Sequence, residues 1–174
     1  SNDMVPIGNA KTPNLMYGFG LSLAWKNFDF NVLFQGAGKS SFFQKGFLSY
    51  AFANKQYGNI LQDVIGKYSE LGVNEDPNAK YPRLTYGWNS NNYQNSTYWL
   101  RDGRYLRLKN LEIGYTIPKQ LLIHLHVTNA RFYFMGTNLL TFSKFKLWDP
   151  ELSSETGEAY PLSRVLTLGL TLSL

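Results

Sequence analysis

From Leu15 to Trp25, large apolar side chains occupy alternate positions: Leu15, Tyr17, Phe19, Leu21, Leu23 and Trp25 are separated by Met16, Gly18, Gly20, Ser22 and Ala24. Period two predicts a strand with one large, greasy face and one small face. After Lys26-Asn27 the alternation resumes, with Phe28, Phe30, Val32 and Phe34 set against Asp29, Asn31, Leu33 and Gln35. Two such runs with two residues between them predict a tight hairpin. In a third run, Tyr105 to Thr116, Leu106 and Leu108 share one parity while Leu111, Ile113 and Tyr115 take the other. A β-bulge at Lys109-Asn110 would return all five to one face. Ala130 to Thr141 sets Phe132 and Phe134 against Arg131, Tyr133 and Thr137. The last run alternates Leu166, Leu168, Leu170, Leu172 and Leu174 with Val165, Thr167, Gly169, Thr171 and Ser173.

These runs exceed the ~5–6 residues of an ordinary strand and match the ~9–11 that a tilted strand needs to cross a bilayer. Alternation alone fits two arrangements, greasy side chains inward in a soluble core or outward against lipid. The connections favour the second. They run short (Lys26-Asn27), very long (39–104), intermediate (117–129) and long (142–162), as in a barrel with turns at one end and loops at the other. Trp25, Phe28 and Tyr115 lie near the short connections, where an interfacial aromatic girdle would sit. Five strands cannot close a barrel whose small forms have about eight. Two further segments, Phe47 to Ala53 and Tyr98 to Leu100, make poor strands, so the pattern predicts a piece of a larger barrel. Within 39–104, the spacing of Ile60, Leu61, Val64, Ile65 and Tyr68 predicts a short helix over 57–71.

Composition removes several classes. With 44% hydrophobic residues the chain is not disordered, and no stretch approaches the ~18 apolar residues of a membrane helix. There is no cysteine, hence no disulfide or thiolate metal site. The net charge of +5 is spread without a basic run, so no nucleic-acid partner is expected. No signal peptide is visible at the start of the chain. No nucleophile–base pair, phosphate loop or zinc spacing is present, and neither an enzyme nor a cofactor is expected.

The segment Ser96-Thr97-Tyr98-Trp99-Leu100-Arg101-Asp102-Gly103-Arg104-Tyr105-Leu106-Arg107-Leu108-Lys109-Asn110-Leu111-Glu112-Ile113-Gly114-Tyr115-Thr116-Ile117-Pro118 resembles the "DGSYLRLKNLxLGYTLP" stretch near the end of SusC/RagA-type TonB-dependent transporters. Gly136 to Phe142, followed by Asp149-Pro150-Glu151, resembles that family's "GxNLFTFTxY…DPE", and Phe28 to Gly36 is similar to its "FDLNVFFQGS". The matches follow family order from about Ile7 to Leu174. The final residues, with Thr167, Gly169, Leu172 and Leu174, resemble the C-terminal outer-membrane assembly signal, although Leu174 stands where Phe is usual.

The resemblance implies an all-β fold: an antiparallel transmembrane β-barrel segment, about the last five strands of a 22-stranded barrel with long extracellular loops. It implies outer-membrane, TonB-driven import of oligosaccharides or peptides. Residues 1–174 would be part of the barrel, 39–104 an extracellular loop insertion, and the plug domain would lie outside the chain. Implied partners are a SusD-like surface lipoprotein lid, the rest of the barrel and its plug, the TonB–ExbB–ExbD complex acting through that plug, and outer-membrane lipid with lipopolysaccharide.

Tyr86, Trp88, Tyr93, Tyr98, Trp99 and Trp148 are candidates for contact with substrate or lid, since a flat ring can stack on a pyranose; packing among the loops or against the lid is the simpler explanation of any one of them. Asp149 and Glu151 flanking Pro150 suggest a turn that fixes its loop rather than an acid–base pair. His124 and His126 are expected to be solvated rather than to bind metal. Arg164 shares the parity of the strand leucines and is expected at the outer rim, reaching lipopolysaccharide phosphates. Two alternatives remain: a soluble carbohydrate-binding β-protein, which would be monodisperse without detergent, and a passive porin-like channel, which would lack a plug.

Overall fold

The computed structural model describes residues 4–46, 49–52, 62, 81–123 and 127–174. Five long strands form one antiparallel sheet in the order β1-β2-β5-β6-β7: β1 Leu15–Trp25, β2 Phe28–Gly38, β5 Tyr105–Thr116, β6 Asn129–Ser143 and β7 Val165–Ser173. Two short strands, β3 Ser41–Phe43 and β4 Leu100–Asp102, pair with each other as the long insertion leaves and re-enters the sheet. The expected 57–71 helix falls, apart from Gln62, outside the described residues, as do His124 and His126. A single helical turn, α1 Lys119–Leu122, lies instead in the connection between β5 and β6, with Leu122 buried. Of the two weak strand candidates, Phe47 to Ala53 shows turns and bends over its described residues 49–52, and Tyr98 to Leu100 contributes only the first residue of β4.

Register carries the alternation across all five strands. Trp25 lies opposite Phe28, Phe28 opposite Tyr115, and Tyr115 opposite Phe132. The predicted girdle is therefore a continuous aromatic row over four strands, with the Phe28 and Tyr115 rings 4.7 Å apart. One level further along, Leu23, Phe30, Ile113, Phe134 and Leu168 line up on the same face. The opposite face carries Asn31, Asp29, Glu112, Arg131 and Thr171 among small residues. The predicted bulge is present: Leu33 pairs with Asn110 and Phe34 with Leu108, so Lys109 is the extra residue of β5. Against β6, the same irregularity is accommodated at Asn138, whose φ of 55° is one that Asn adopts more readily than most residues.

Gly169 sits beneath a ring of the neighbouring strand. A Cβ there would run into the aromatic ring of Tyr133, its cross-strand partner. The small face at this point admits a tyrosine from β6.

Among the described residues, nothing covers the greasy face. Leu168 is 84% exposed, and Phe19, Leu21, Leu23, Phe132, Leu166 and Leu170 are also exposed. The buried aromatic cluster of Tyr50, Tyr81 and Trp99, with Phe43 and Tyr93 packed against it, lies in the insertion and not behind the sheet. A soluble sheet would bury its large side chains; here they are exposed, as are Ser22, Asn31, Thr167 and Thr171 on the opposite face. The outer edges of β1 and β7 are also unpaired within the sheet. In hydrocarbon an unpaired edge costs several kcal/mol per polar group, so such a sheet is stable there only as part of a longer, closed wall.

If the greasy face meets lipid, a charge at mid-strand is expensive. Leu168→Arg is expected to destabilise the assembled barrel by about 2–4 kcal/mol, read as loss of the folded, heat-modifiable band of the full-length protein. Ser22→Arg, on the opposite face of β1, should leave that band largely intact.

Candidate functional site

Two ion-pair networks stand on the polar face, at opposite ends of the sheet. Near the short connections, the Arg131 guanidinium from β6 donates to Asp29 of β2 and, at 2.6 Å, to Glu112 of β5. The three side chains tie three strands together across Gly114, where a Cβ would collide with Arg131 and Asp29. Glycine at that position leaves room for the charged cluster to lie flat on the sheet.

At the long-connection end, Arg107 of β5 has a side chain only 3% exposed and pairs with Asp149 and, at 3.0 Å, with Glu151. Lys109, displaced by the bulge, reaches Glu151 at 3.3 Å. Asp149 also accepts a hydrogen bond from the Glu151 backbone N–H and caps the short 3-10 turn Pro150–Leu152. Asp149 and Glu151 thus fix their loop, as the sequence suggested, and they do so by gripping two cations of β5. Asn138 Nδ2 donates to the Ser163 carbonyl at 3.0 Å and holds the other end of the same loop.

The six aromatic candidates divide by exposure. Tyr86 and Trp88 are exposed. Tyr93 is half-buried, stacked on Tyr50 with centroids 4.1 Å apart. Trp99 is 1% exposed, edge-on to Tyr50 and Tyr98, and its indole N–H donates to the Asn92 carbonyl at 2.6 Å. In this arrangement its ring offers no face to a ligand and instead organises the loop. Trp148 packs against Phe42 and Phe145 and donates to the Ser154 carbonyl at 3.0 Å. Tyr98 is partly covered, and burial pushes its hydroxyl pKa up to about 12, against the opposing pull of Arg101, so it stays protonated at neutral pH. Of the four residues expected to form an assembly signal, Thr167, Gly169 and Leu172 lie in β7, and Leu174 follows it. Arg164 is exposed one residue before β7 begins.

Residues missed in the sequence are the partners rather than the motifs. Arg107, Arg131, Glu112 and Asp29 are charges within strands, and their polar-face parity was the available signal. Gln44 and Arg101 are joined only through the fold, Arg101 Nε donating to Gln44 Oε1 at 2.6 Å. In the β4 region Asp102 chelates Arg104, and that hydrogen-bonded guanidinium holds its carboxyl below the usual range. No cluster of three or more potential metal ligands occurs among the described residues.

An uncovered apolar face, a polar face carrying ion pairs and loops gathered at one end define a segment of an antiparallel β-barrel wall. The chain is 29% identical over 185 residues to a TonB-dependent receptor of Formosa agariphila, covering 99% of the chain and 18% of the relative. A second TonB-dependent receptor of that organism is 29% identical over 179 residues, 92% of the chain and 16% of the relative. The structure of the RagAB peptide transporter superposes with a TM-score of 0.76 at 25% identity, covering 95% of this chain and 18% of that one. The open-open state of the RagAB peptide importer gives 0.73 at 26% identity, with 97% and 18% coverage. No family model matches the chain. Sequence and fold together bear out the resemblance: over nearly its whole length the chain is similar to a segment of SusC/RagA-type TonB-dependent transporters, and it spans about 18% of the length of such relatives.

Removing Arg107 would leave two carboxylates without their buried cation. Arg107→Ala is expected to release the 144–164 loop, at a cost of about 3–5 kcal/mol for breaking a buried pair. Limited proteolysis of the full-length protein in detergent should then cut this loop much faster than in the wild type.

Proposed function

We propose that the chain forms part of the wall and outer loops of a TonB-dependent importer in a bacterial outer membrane. Its short connections would face the periplasm, and the 39–104 insertion and 142–162 loop the exterior. The carrying observation is the uncovered apolar face with its aromatic row, in a fold similar to a peptide transporter wall. On this reading the rest of the parent protein supplies the remaining strands and a plug, through which TonB–ExbB–ExbD delivers energy. A SusD-like surface lipoprotein closes over the outer loops, and the cargo is a peptide or an oligosaccharide. The relatives are named as receptors and transporters, and the reading contains no catalytic step.

The exposed rings of Tyr86 and Trp88 are the best placed of the six aromatics to touch cargo or lid, because each keeps most of its surface free. Thr167, Gly169, Leu172 and Leu174 are assigned to recognition by the barrel-assembly machinery. The polar face, with Arg131, Asp29 and Glu112, would look towards the plug.

Uptake of fluorescent oligopeptides and oligosaccharides by cells carrying the full-length gene tests the reading. Uptake of at least one class should vanish when TonB is deleted; uptake that persists without TonB would instead indicate a passive channel. Replacing Tyr86 and Trp88 together by Ala should weaken uptake or lid binding roughly fivefold or more, as loss of aromatic contacts does at interfaces. Unchanged values for both would remove these rings from the site.

A further inference from the structure

Between β4 and the residues that follow β6 lies a cleft of about 680 Å³, lined by Gln44, Tyr98, Arg101, Lys144, Phe145 and Leu147 among others. Its charge is one-sided. Arg101, Lys144 and Lys146 make no ion pair among the described residues, while the one acid in the lining, Asp102, is already chelated by Arg104. Lys144 and Lys146 are exposed. Arg101 is oriented by donating to Gln44 Oε1 and to the Tyr98 carbonyl, both at 2.6 Å. With Oε1 committed to Arg101, Gln44 Nε2 must be the amide's donor end. Gln44 is 1% exposed, yet this nitrogen has no hydrogen-bond partner among the described residues. A buried donor without a partner costs about 1–3 kcal/mol, and here it belongs to a residue of the cleft wall. An acceptor entering beside Arg101 would remove that cost with a small side-chain adjustment.

From this juxtaposition we infer that the cleft is a subsite for an acidic residue of a peptide. Its carboxylate would be held by Arg101, Lys144 and Lys146, and the orphaned Gln44 amide would gain an acceptor. The inference rests on the importer reading above and narrows its cargo. Two features favour a peptide over an acidic sugar. The remaining wall includes Leu100, Leu147 and Phe145, branched or edge-on surfaces suited to an aliphatic side chain. The rings present are also engaged already: Phe145 edge-on with Phe42 and Trp148, and Tyr98 edge-on with Trp99 at 4.7 Å. Stacking on a sugar calls for an exposed ring face, and the most exposed loop rings, Tyr86, Trp88 and Tyr160, are not in the cleft lining.

The test uses the full-length transporter, purified in detergent with its lipoprotein partner. Three probes are titrated by calorimetry: a synthetic peptide alternating Glu with Leu, the same peptide with Gln for Glu, and an oligogalacturonate. The Glu peptide should bind roughly tenfold more tightly than the Gln peptide at low salt, the scale of charge-assisted contacts, and the margin should shrink as salt is raised. In the double variant Lys144→Gln, Lys146→Gln the margin should fall below twofold, whereas Lys119→Gln at the far end of the sheet should keep it. Equal affinity for both peptides, or a margin untouched by the double variant, overturns the subsite and leaves the importer reading standing. Tighter binding of oligogalacturonate, lost in the double variant, overturns the peptide assignment. Binding of none of the three, together with no TonB-dependent uptake, sinks the importer reading and the subsite with it.

Discussion

Everything in this structure follows from the asymmetry between the two faces of one sheet. A strand places successive side chains on opposite sides, so residues such as Leu166, Leu168 and Leu170 share a face that Thr167, Gly169 and Thr171 never touch. The large side chains are exposed and the charged ones sit together on the other side. That distribution is unfavourable in water and favourable in a wall with hydrocarbon outside. It dictates the rest: the edges must be paired by further strands, the aromatics belong near the interface, and polar chemistry is confined to the inner face and the loops.

On the inner face, charge does the work that apolar packing does in a soluble core. Arg131 with Asp29 and Glu112 locks β2, β5 and β6 near the short turns, and Arg107 with Asp149 and Glu151 locks the last long loop onto β5. Each network joins elements far apart in sequence. The insertion has a core of its own in Tyr50, Tyr81 and Trp99, so it is built as a body and is not simply a tether. A cleft beside that body holds Arg101, Lys144 and Lys146, none of them in an ion pair among the described residues, while its one acid, Asp102, is spent on Arg104.

Much of the wall was legible in the sequence because period two is a local signal. The bounds of β1, the two-residue turn and the Lys109 bulge could all be read from parity alone, and the structure reproduces them. β2 and β6 run further than their apolar pattern, because Gly36 to Gly38 and Phe142-Ser143 extend pairing where alternation fades. The loops were far less legible. Trp99 looked like a ligand platform because an aromatic in a polar segment carries no mark of its burial, which depends on Tyr50 and Asn92 arriving from elsewhere. Arg107 and Asp149, separated by a strand and a loop, could not be paired without the register of β5 against β6. The glycine at 169 was read as small-faced, but that Tyr133 fills the space is a cross-strand fact.

The most direct test is the accessibility of β7 in the assembled parent protein. Nitroxide labels placed one at a time at positions 166 to 172, in lipid bilayers, should alternate with period two. Labels at 166, 168, 170 and 172 should collide with oxygen dissolved in the lipid, and those at 167, 169 and 171 with a polar nickel reagent. Uniform accessibility, or alternation of the opposite phase, would contradict an outward-facing apolar side.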